Sequence, residues 1–443
     1  MALAACTPTD AVKPPPADRF YFPTGVAFAR PAMAAEGVLY VASSNFDKRF
    51  DFGSVIAVDL AKVGLPAFPS AAGQAPASPA ISVTDLGIAS DQQVVYVQSF
   101  AGQVGAYPLA DGGTRLFVPS RAEGHLLQTI EASGASLSCY EPPQGGGNNC
   151  ISTAPSLVAN QASATGLPRL SSPYAVGVSP EGIVYVTGLD AIDSPFGSTK
   201  AWQASMFEMS ALSPRVKDDD SPGVVDKGFF PAALPSSGVA VGSRYLFVAG
   251  RYNAHFDYRL VTLVDRVTHA ITQPFLEQNF RVQDARGIAL SSDEKRLYVV
   301  ARYPDTLVVV AVNGAGTDAP ALAIVHSVPL PEGPNEVQIL QRPGRGDLVA
   351  VTCATAGKLV LYDADSGDLV KQVSAVGLQP YGIASERFAL GARLFVTNFA
   401  DGRVAVVDVP YDEPQAAAVV ARLGKPQICD VTPTDASCVG VVP

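Results

Sequence analysis

The stretch Leu394-Phe395-Val396-Thr397-Asn398-Phe399-Ala400-Asp401-Gly402-Arg403-Val404-Ala405-Val406-Val407-Asp408 constrains the fold more than any other feature. It reads as strand, tight turn, strand, because Ala-Asp-Gly separates two runs rich in β-branched residues. A Pro/Gly lead-in, Gln379-Pro380-Tyr381-Gly382-Ile383-Ala384, precedes it. The same grammar recurs as Pro23-Thr24-Gly25 with Leu39-Tyr40-Val41, Pro173-Tyr174-Ala175 with Val184-Tyr185-Val186, Ser237-Gly238-Val239 with Leu246-Phe247-Val248, and Arg286-Gly287-Ile288 with Leu297-Tyr298-Val299. Weaker copies are Val104-Gly105-Ala106 with Leu116-Phe117-Val118, and Asn335-Glu336-Val337 with Leu348-Val349-Ala350. Several hairpins close on an aspartate: Asp59, Asp265, Asp363 and Asp408.

Aligned on the second strand, the anchors are Tyr40, Phe117, Tyr185, Phe247, Tyr298, Val349 and Phe395, at gaps of 77, 68, 62, 51, 51 and 46. The later gaps match the about 40–50 residues of a four-stranded propeller blade, and the earlier ones carry insertions. Val94-Val95-Tyr96-Val97 mimics an eighth anchor but lies too close to Phe117 for a separate blade, so it is expected to be the outer strand of the first. Four-stranded sheets this small cannot bury their faces alone, and packing them radially buries both. Strands then read as continuous apolar runs, as in Leu307-Val308-Val309-Val310-Ala311-Val312. The expected fold is all-β: a seven-bladed β-propeller of four-stranded antiparallel blades.

Composition agrees. With 39 Gly, 36 Pro and 16% charged residues, the chain punctuates many short strands and confines charge to the rims. Net charge is -10 and the pI about 4.9, which argues against nucleic acid and against electrostatic binding to anionic lipid. No run of 18 apolar residues exists to span a bilayer as a helix. Asp218-Asp219-Asp220 lacks the alternating oxygen ligands of a calcium loop and reads as a solvated turn.

Leu-Phe-Val-Thr-Asn followed by Val-Ala-Val-Val-Asp resembles the YVTN repeat of bacterial seven-bladed propellers, over nearly the whole chain. The resemblance implies a periplasmic or surface protein. Lactonase-like enzymes and the propeller subunits of quinoprotein amine dehydrogenases are similar in build.

Leu3-Ala4-Ala5-Cys6 looks like a bacterial lipobox, followed by a Pro-rich spacer with Pro14-Pro15-Pro16. The basic and apolar regions of a signal peptide do not precede it, so the start is expected to lie inside the signal or to have been trimmed. Cys139 and Cys150 bracket a loop without core-forming residues, and Cys429 and Cys438 bracket another. Two disulfides are expected there, which points to an oxidising compartment. Cys353 ends a strand-like run and reads as a buried free thiol, and no Cys-x-x-Cys supports zinc.

In this fold, one face collects the loops leading into each first strand and those joining second to third strands. Tyr174, Arg251, Tyr252, His255, Arg286, Arg302, Asn335, Glu336, Tyr381 and Asn398 fall there. A mouth lined by Arg251, Arg286, Arg302 and Glu336 suits a carboxylate, a phosphate or a peptide terminus. The competing reading is a solvated loop face of mutual salt bridges. The four histidines show no metal-ligand spacing, and no nucleophile elbow appears, so neither a catalytic residue nor a metal or other cofactor is expected beyond lipid on Cys6. Arg345-Gly346-Asp347 reads as a tight turn on the opposite face.

These readings divide the chain into a lipobox remnant and tether at 1–19, a propeller at 20–425 and a disulfide-containing tail at 426–443, with a stapled insertion at 131–170. Phe20 to Phe22 are expected to pair with the last blade near Ala416 to Leu423 to close the ring, with the choice of terminus open. The expected function is non-enzymatic: an extracytoplasmic, lipid-anchored interaction scaffold, outer-membrane and on its periplasmic or surface side, with envelope or surface proteins, peptides or glycans as partners. The alternatives are a lactonase-like hydrolase using the channel and an accessory subunit of a periplasmic redox complex.

Overall fold

The computed structural model describes residues 12–426 apart from 32–35, 123–124, 142–146, 155–156, 158–169, 191, 194–201, 215–228, 233–234, 252–259, 273–275, 277–281 and 319. Cys6, Cys429, Cys438, Tyr252, His255, the Asp218–Asp220 run and nearly half of the 131–170 insertion lie outside the described residues.

Seven four-stranded antiparallel blades follow one another along the chain, one of them extended by a parallel strand from blade 1. Blade 1 is Pro23–Ala29, Val38–Ser43, Gly53–Asp59 and Val94–Val97, so the eighth anchor is indeed its outer strand. Blade 2 is Gly105–Pro108, Thr114–Pro119, Leu127–Ser133 and Ser136–Cys139. Blade 3 is Ser171–Val178, Ile183–Asp190, Trp202–Ser210 and Phe229–Ala232, with the short strand Ile192–Asp193 also on Trp202–Ser210. Blade 4 is Val239–Val241, Tyr245–Ala249, Val261–Asp265 and Ile271–Thr272. Blade 5 is Gln283–Leu290, Arg296–Tyr303, Asp305–Asn313 and Ala321–Pro329. Blade 6 is Pro334–Leu340, Leu348–Cys353, Lys358–Asp363 and Asp368–Val373. Blade 7 is Pro380–Phe388, Gly391–Asn398, Arg403–Pro410 and Ala418–Leu423.

All seven anchors sit on second strands, and none is more than 2% exposed. Burying side chains of this size contributes about 1.5–3 kcal/mol each. They fill the spaces between blades, where facing sheets share clusters such as Phe117 of blade 2 with Val184, Val186 and Phe207 of blade 3.

The lead-in glycines are required by close approach between blades. A Cβ on Gly25 would stand 2.5 Å from Gly102 O, one on Gly238 2.8 Å from Arg286 O, and one on Gly287 2.8 Å from Asn335 O. Each neighbour is the backbone of the next blade's lead-in. Hydroxyls tie the same joints: Thr24 Oγ1 donates to Ala101 O (2.8 Å), Ser237 Oγ to Arg286 O (3.0 Å) and Thr352 Oγ1 to Tyr381 O (2.9 Å). The series returns to its start, since Thr397 Oγ1 donates to Thr24 O (3.2 Å).

Ring closure differs from the expectation. The carbonyls of Tyr21 and Phe22 accept from Asn45 and Ser44 of their own blade, so this segment is not free to add a strand. Phe20 instead buries its ring in the core shared by blades 1 and 7, with Phe395, Val404 and Leu423. The added strand is Ile81–Val83, from the excursion between the third and fourth strands of blade 1, and it pairs parallel with Ala418–Leu423. The same excursion stacks Phe68 on Phe388 at 4.3 Å and presents Pro66 O to Arg393 (2.7 Å). Among the described residues, neither terminus adds a strand to blade 7; blade 1 packs directly on it, and an internal excursion of blade 1 supplies the extra strand.

The insertion also begins later than expected, because Leu127–Ser133 and Ser136–Cys139 are regular strands of blade 2. The Cys139–Cys150 disulfide is present. It links the outer strand of blade 2 to a segment lying on the outer edge of blade 1, where Tyr96 N donates to Asn148 O (2.7 Å) and Cys150 N to Tyr96 O (3.0 Å). Cys353 is the buried free cysteine, its thiol pushed up to about 12 by burial.

The hairpin aspartates organise the opposite face. Asp265 accepts the N–H groups of Val267 and Thr268 (2.9 Å each), Asp363 binds Arg342 through both oxygens (2.5 and 2.9 Å), and Asp408 binds Arg393 likewise (2.7 and 2.9 Å). Arg345-Gly346-Asp347 is the turn between the first two strands of blade 6, held by Asp365 accepting Gly346 N–H (2.9 Å).

Candidate functional site

The innermost strand of each blade has a paired neighbour on one side only, so its other edge faces the axis. These strands enclose a central cavity of about 480 Å³ to which all seven blades contribute. Its side chains are Val, Ile, Leu, Ala and Gly apart from Gln103, Glu336 and Gln338.

At the mouth the lead-in loops converge. Tyr174, Ser237, Arg286, Asn335, Glu336 and Tyr381, with Leu189, surround a gap of about 10 Å³, at the limit of holding one water. Tyr174 and Tyr381 share a hydrogen bond, and the Tyr174 phenol is pushed well above its usual range by burial, then by Tyr381 and Glu336. Gln103 Nε2 donates to Glu336 Oε1 (2.9 Å), while Gln103 Oε1 accepts Val176 N–H (3.2 Å). Blades 2, 3 and 6 are thereby bridged across the axis. Glu336 remains partly accessible along the bore but has protein on every side, and burial pushes its carboxyl up to about 7 despite the donors Gln103 and Ile383 N–H.

Three arginines rim this constriction. Arg286 is committed to Asp284 through Nε (2.9 Å) and Nη2 (2.7 Å). Arg251 Nη1 donates to Leu189 O (3.1 Å), and Arg302 donates to Pro334 O (3.1 Å) and Asn335 Oδ1 (3.2 Å). Among the described residues, neither Arg251 nor Arg302 has a carboxylate within salt-bridge distance. Both are held below the usual guanidinium range by burial and then by the charge of Arg286. The mouth therefore combines one neutralised arginine with two whose acceptors are neutral.

Of the sequence-derived candidates, the structure gathers Tyr174, Arg251, Arg286, Arg302, Asn335, Glu336 and Tyr381. It does not bring Asn398 to the mouth. That side chain is 1% exposed beneath Gly377, with Nδ2 donating to Val396 O (3.3 Å). Gln103 and Asp284 were not legible as site residues, nor was Arg121, whose guanidinium lies 5.5 Å from the Tyr174 ring centroid. A rim of aromatic rings was missed as well. Tyr381 lies 5.8 Å from Phe399, which touches Phe22 (5.1 Å) and Phe46 (5.3 Å), and Phe46 meets Phe100 at 5.6 Å. Phe46 is 50% exposed. A signal existed: Phe22 and Phe100 both stand just ahead of a lead-in, at the left-handed φ values of 49° and 61°.

A channel-bound inorganic cation needs several oxygen or nitrogen ligands together. Among the described residues no three His, Cys, Asp or Glu side chains gather to hold one. Among the described residues Glu336 is the only carboxylate on the channel wall, so that donor set does not fit a carboxylate-bound cation centre.

No protein-family model matches the sequence, and none of the curated proteins is similar to it at a significant level. Likeness appears among solved structures. The β-propeller domain of Myceliophteria thermophila Cps50 (Swd1) is 11% identical, covers 88% of this chain and 96% of its own, and superposes with a TM-score of 0.50. A protein from Lactobacillus plantarum is 15% identical over 79% of this chain and 84% of its own, with a TM-score of 0.47. At such identities the likeness shows the fold alone. The seven sheets described above, with the likeness to the Cps50 propeller domain, make this chain a seven-bladed β-propeller.

Proposed function

We propose that this propeller is a non-enzymatic binding scaffold that receives an anionic group of a partner at the channel mouth. The observation that carries the reading is that Arg251 and Arg302, each close enough to Arg286 to feel its charge, bond among the described residues to neutral acceptors only. Desolvated guanidiniums in this state gain most from a charge-assisted, bidentate partner such as a carboxylate. The exposed aromatic rim next to them supplies apolar area for the same partner.

The setting proposed is extracytoplasmic, with a lipid anchor on Cys6 at the outer membrane and an envelope or surface protein, a peptide or a glycan as the partner. The Cys139–Cys150 disulfide supports an oxidising compartment. The YVTN-like repeat supports kinship with bacterial envelope propellers. Among the described residues no carboxylate cluster supports the hydrolase alternative.

The test is quantitative affinity isolation from native membranes with the wild-type chain and the double variant Arg251→Glu/Arg302→Glu. A partner enriched by the wild type and reduced at least about tenfold by the variant, as expected for losing a buried charge-assisted contact, upholds the reading. Identical recovery with both chains overturns it.

A further inference from the structure

We propose that the central channel is a binding site for an organic ammonium ion carrying a compact apolar body, a role separate from the anion-receiving mouth. The cavity is about 480 Å³, within the roughly 300–1,000 Å³ typical of small-molecule sites. Its side chains are aliphatic over most of the bore, from Val26 and Val104 to Leu290 and Ile339, with backbone polar groups exposed between them, and among the described residues no lysine or arginine lines it. The innermost strands turn one unpaired edge inward, so backbone carbonyl oxygens are available as acceptors for N–H donors. At the mouth end of this wall stands one carboxylate, Glu336.

The surroundings of Glu336 specify a cation. Its partners are the Gln103 amide and the Ile383 N–H, which are neutral donors. The nearest mouth arginine, Arg286, is spent on Asp284. A carboxylate at the polar end of an aliphatic bore, bonded only to neutral donors, gains from either a proton or a cation, and burial raises its affinity for the proton accordingly. An inorganic ion would lack further ligands here. An alkylammonium matches both halves of the site: its head has donors for Glu336 and the carbonyls, and its body replaces water against Val, Ile and Leu. The other titratable or charged groups around Glu336 are Tyr174, Tyr381, and Arg286 with its partner Asp284, with Arg251 and Arg302 beyond them on the rim.

The site makes a linked prediction. Ammonium binding requires the carboxylate form, so below about pH 7 each binding event displaces a proton and affinity falls roughly tenfold per pH unit. The experiment is isothermal titration calorimetry of the intact protein with n-hexylammonium, hexan-1-ol and hexanoate at pH 8 and pH 6, in buffers of different ionisation enthalpy. The expected result has three parts: hexylammonium binds at least tenfold tighter than hexanol at pH 8, releases a proton on binding at pH 6, and loses its preference over hexanol in Glu336→Gln. Equal binding of amine and alcohol, a preference that survives Glu336→Gln, or no binding of any probe overturns the proposal. If Glu336→Gln fails to fold by circular dichroism, the wild type decides. Hexylammonium must then weaken about tenfold or more from pH 8 to pH 6 while hexanol does not, and parallel behaviour of the two overturns it.

Discussion

Glu336→Gln should change how stability depends on pH by removing a carboxyl whose proton affinity burial raises. The native carboxyl is raised from 4.5 to about 7, chiefly by burial. The unfolded chain releases this proton near 4.5, so between 4.5 and 7 the native state binds more protons than the unfolded one. Stability is then fully present below 4.5 and is lost as pH rises through 7. The shift corresponds to roughly 3 kcal/mol at 1.36 kcal/mol per unit, an upper figure because water in the bore screens the charge. Urea unfolding of wild type and variant at pH 5 and pH 8 isolates it. Other groups raised by burial, such as Asp347, Glu386 and Asp408, contribute equally to both proteins and cancel in the comparison. The wild type should lose roughly 2–3 kcal/mol more than the variant over that interval. Identical pH dependence in the two proteins would refute the placement of Glu336 in an enclosed, uncompensated bore.

Three further substitutions probe the ring. Gly287→Ala should cost about 1–3 kcal/mol by forcing blade 5 from blade 6, since its new Cβ meets Asn335 O at 2.8 Å, while Gly316→Ala, with no atom within 4 Å, should change urea stability by under about 0.5 kcal/mol. Arg393→Ala strands the fully buried Asp408 and should cost about 3–5 kcal/mol, and the double variant Arg393→Leu/Asp408→Leu should be more stable than the single one in thermal melts. Cys139→Ser opens a link of sequence separation 11 and should lower stability by about 3 kcal/mol, with hydrogen exchange rising at Tyr96 and Cys150, whose N–H groups that edge protects.

Blade number and strand order were legible because the repeat is written in local residues. An aromatic or valine on each second strand and a glycine in most lead-ins report contacts with the adjacent blade, and every blade makes the same contacts. The strand added across the junction of blades 1 and 7 was not legible, because it comes from one excursion. Ile81–Val83 carries no stronger strand signal than its surroundings, and its partner lies at Ala421–Leu423, far along the chain. The site divides the same way. Arg286 and Tyr381 follow from their places in the lead-in grammar. Gln103 and Asp284 do not, since what makes them part of the site is a neighbour from another blade or a turn in the backbone: Glu336 for the first, and a left-handed φ of 58° beside Arg286 for the second. Asn398 shares its sequence pattern with mouth residues but ends a strand beneath Gly377, and only the packing of that loop reveals it.

The scaffold reading is tested most directly by which face of the ring meets a partner. A photo-crosslinking residue placed at Tyr303, 61% exposed beside Arg302, reports the mouth face, and one at Val267, 85% exposed in the turn after the third strand of blade 4, reports the opposite face. In native membranes the Tyr303 position should give a discrete partner adduct that Arg251→Glu/Arg302→Glu abolishes, and the Val267 position should give none. An adduct from Val267 alone, or from neither position, would contradict a scaffold that works through its channel mouth.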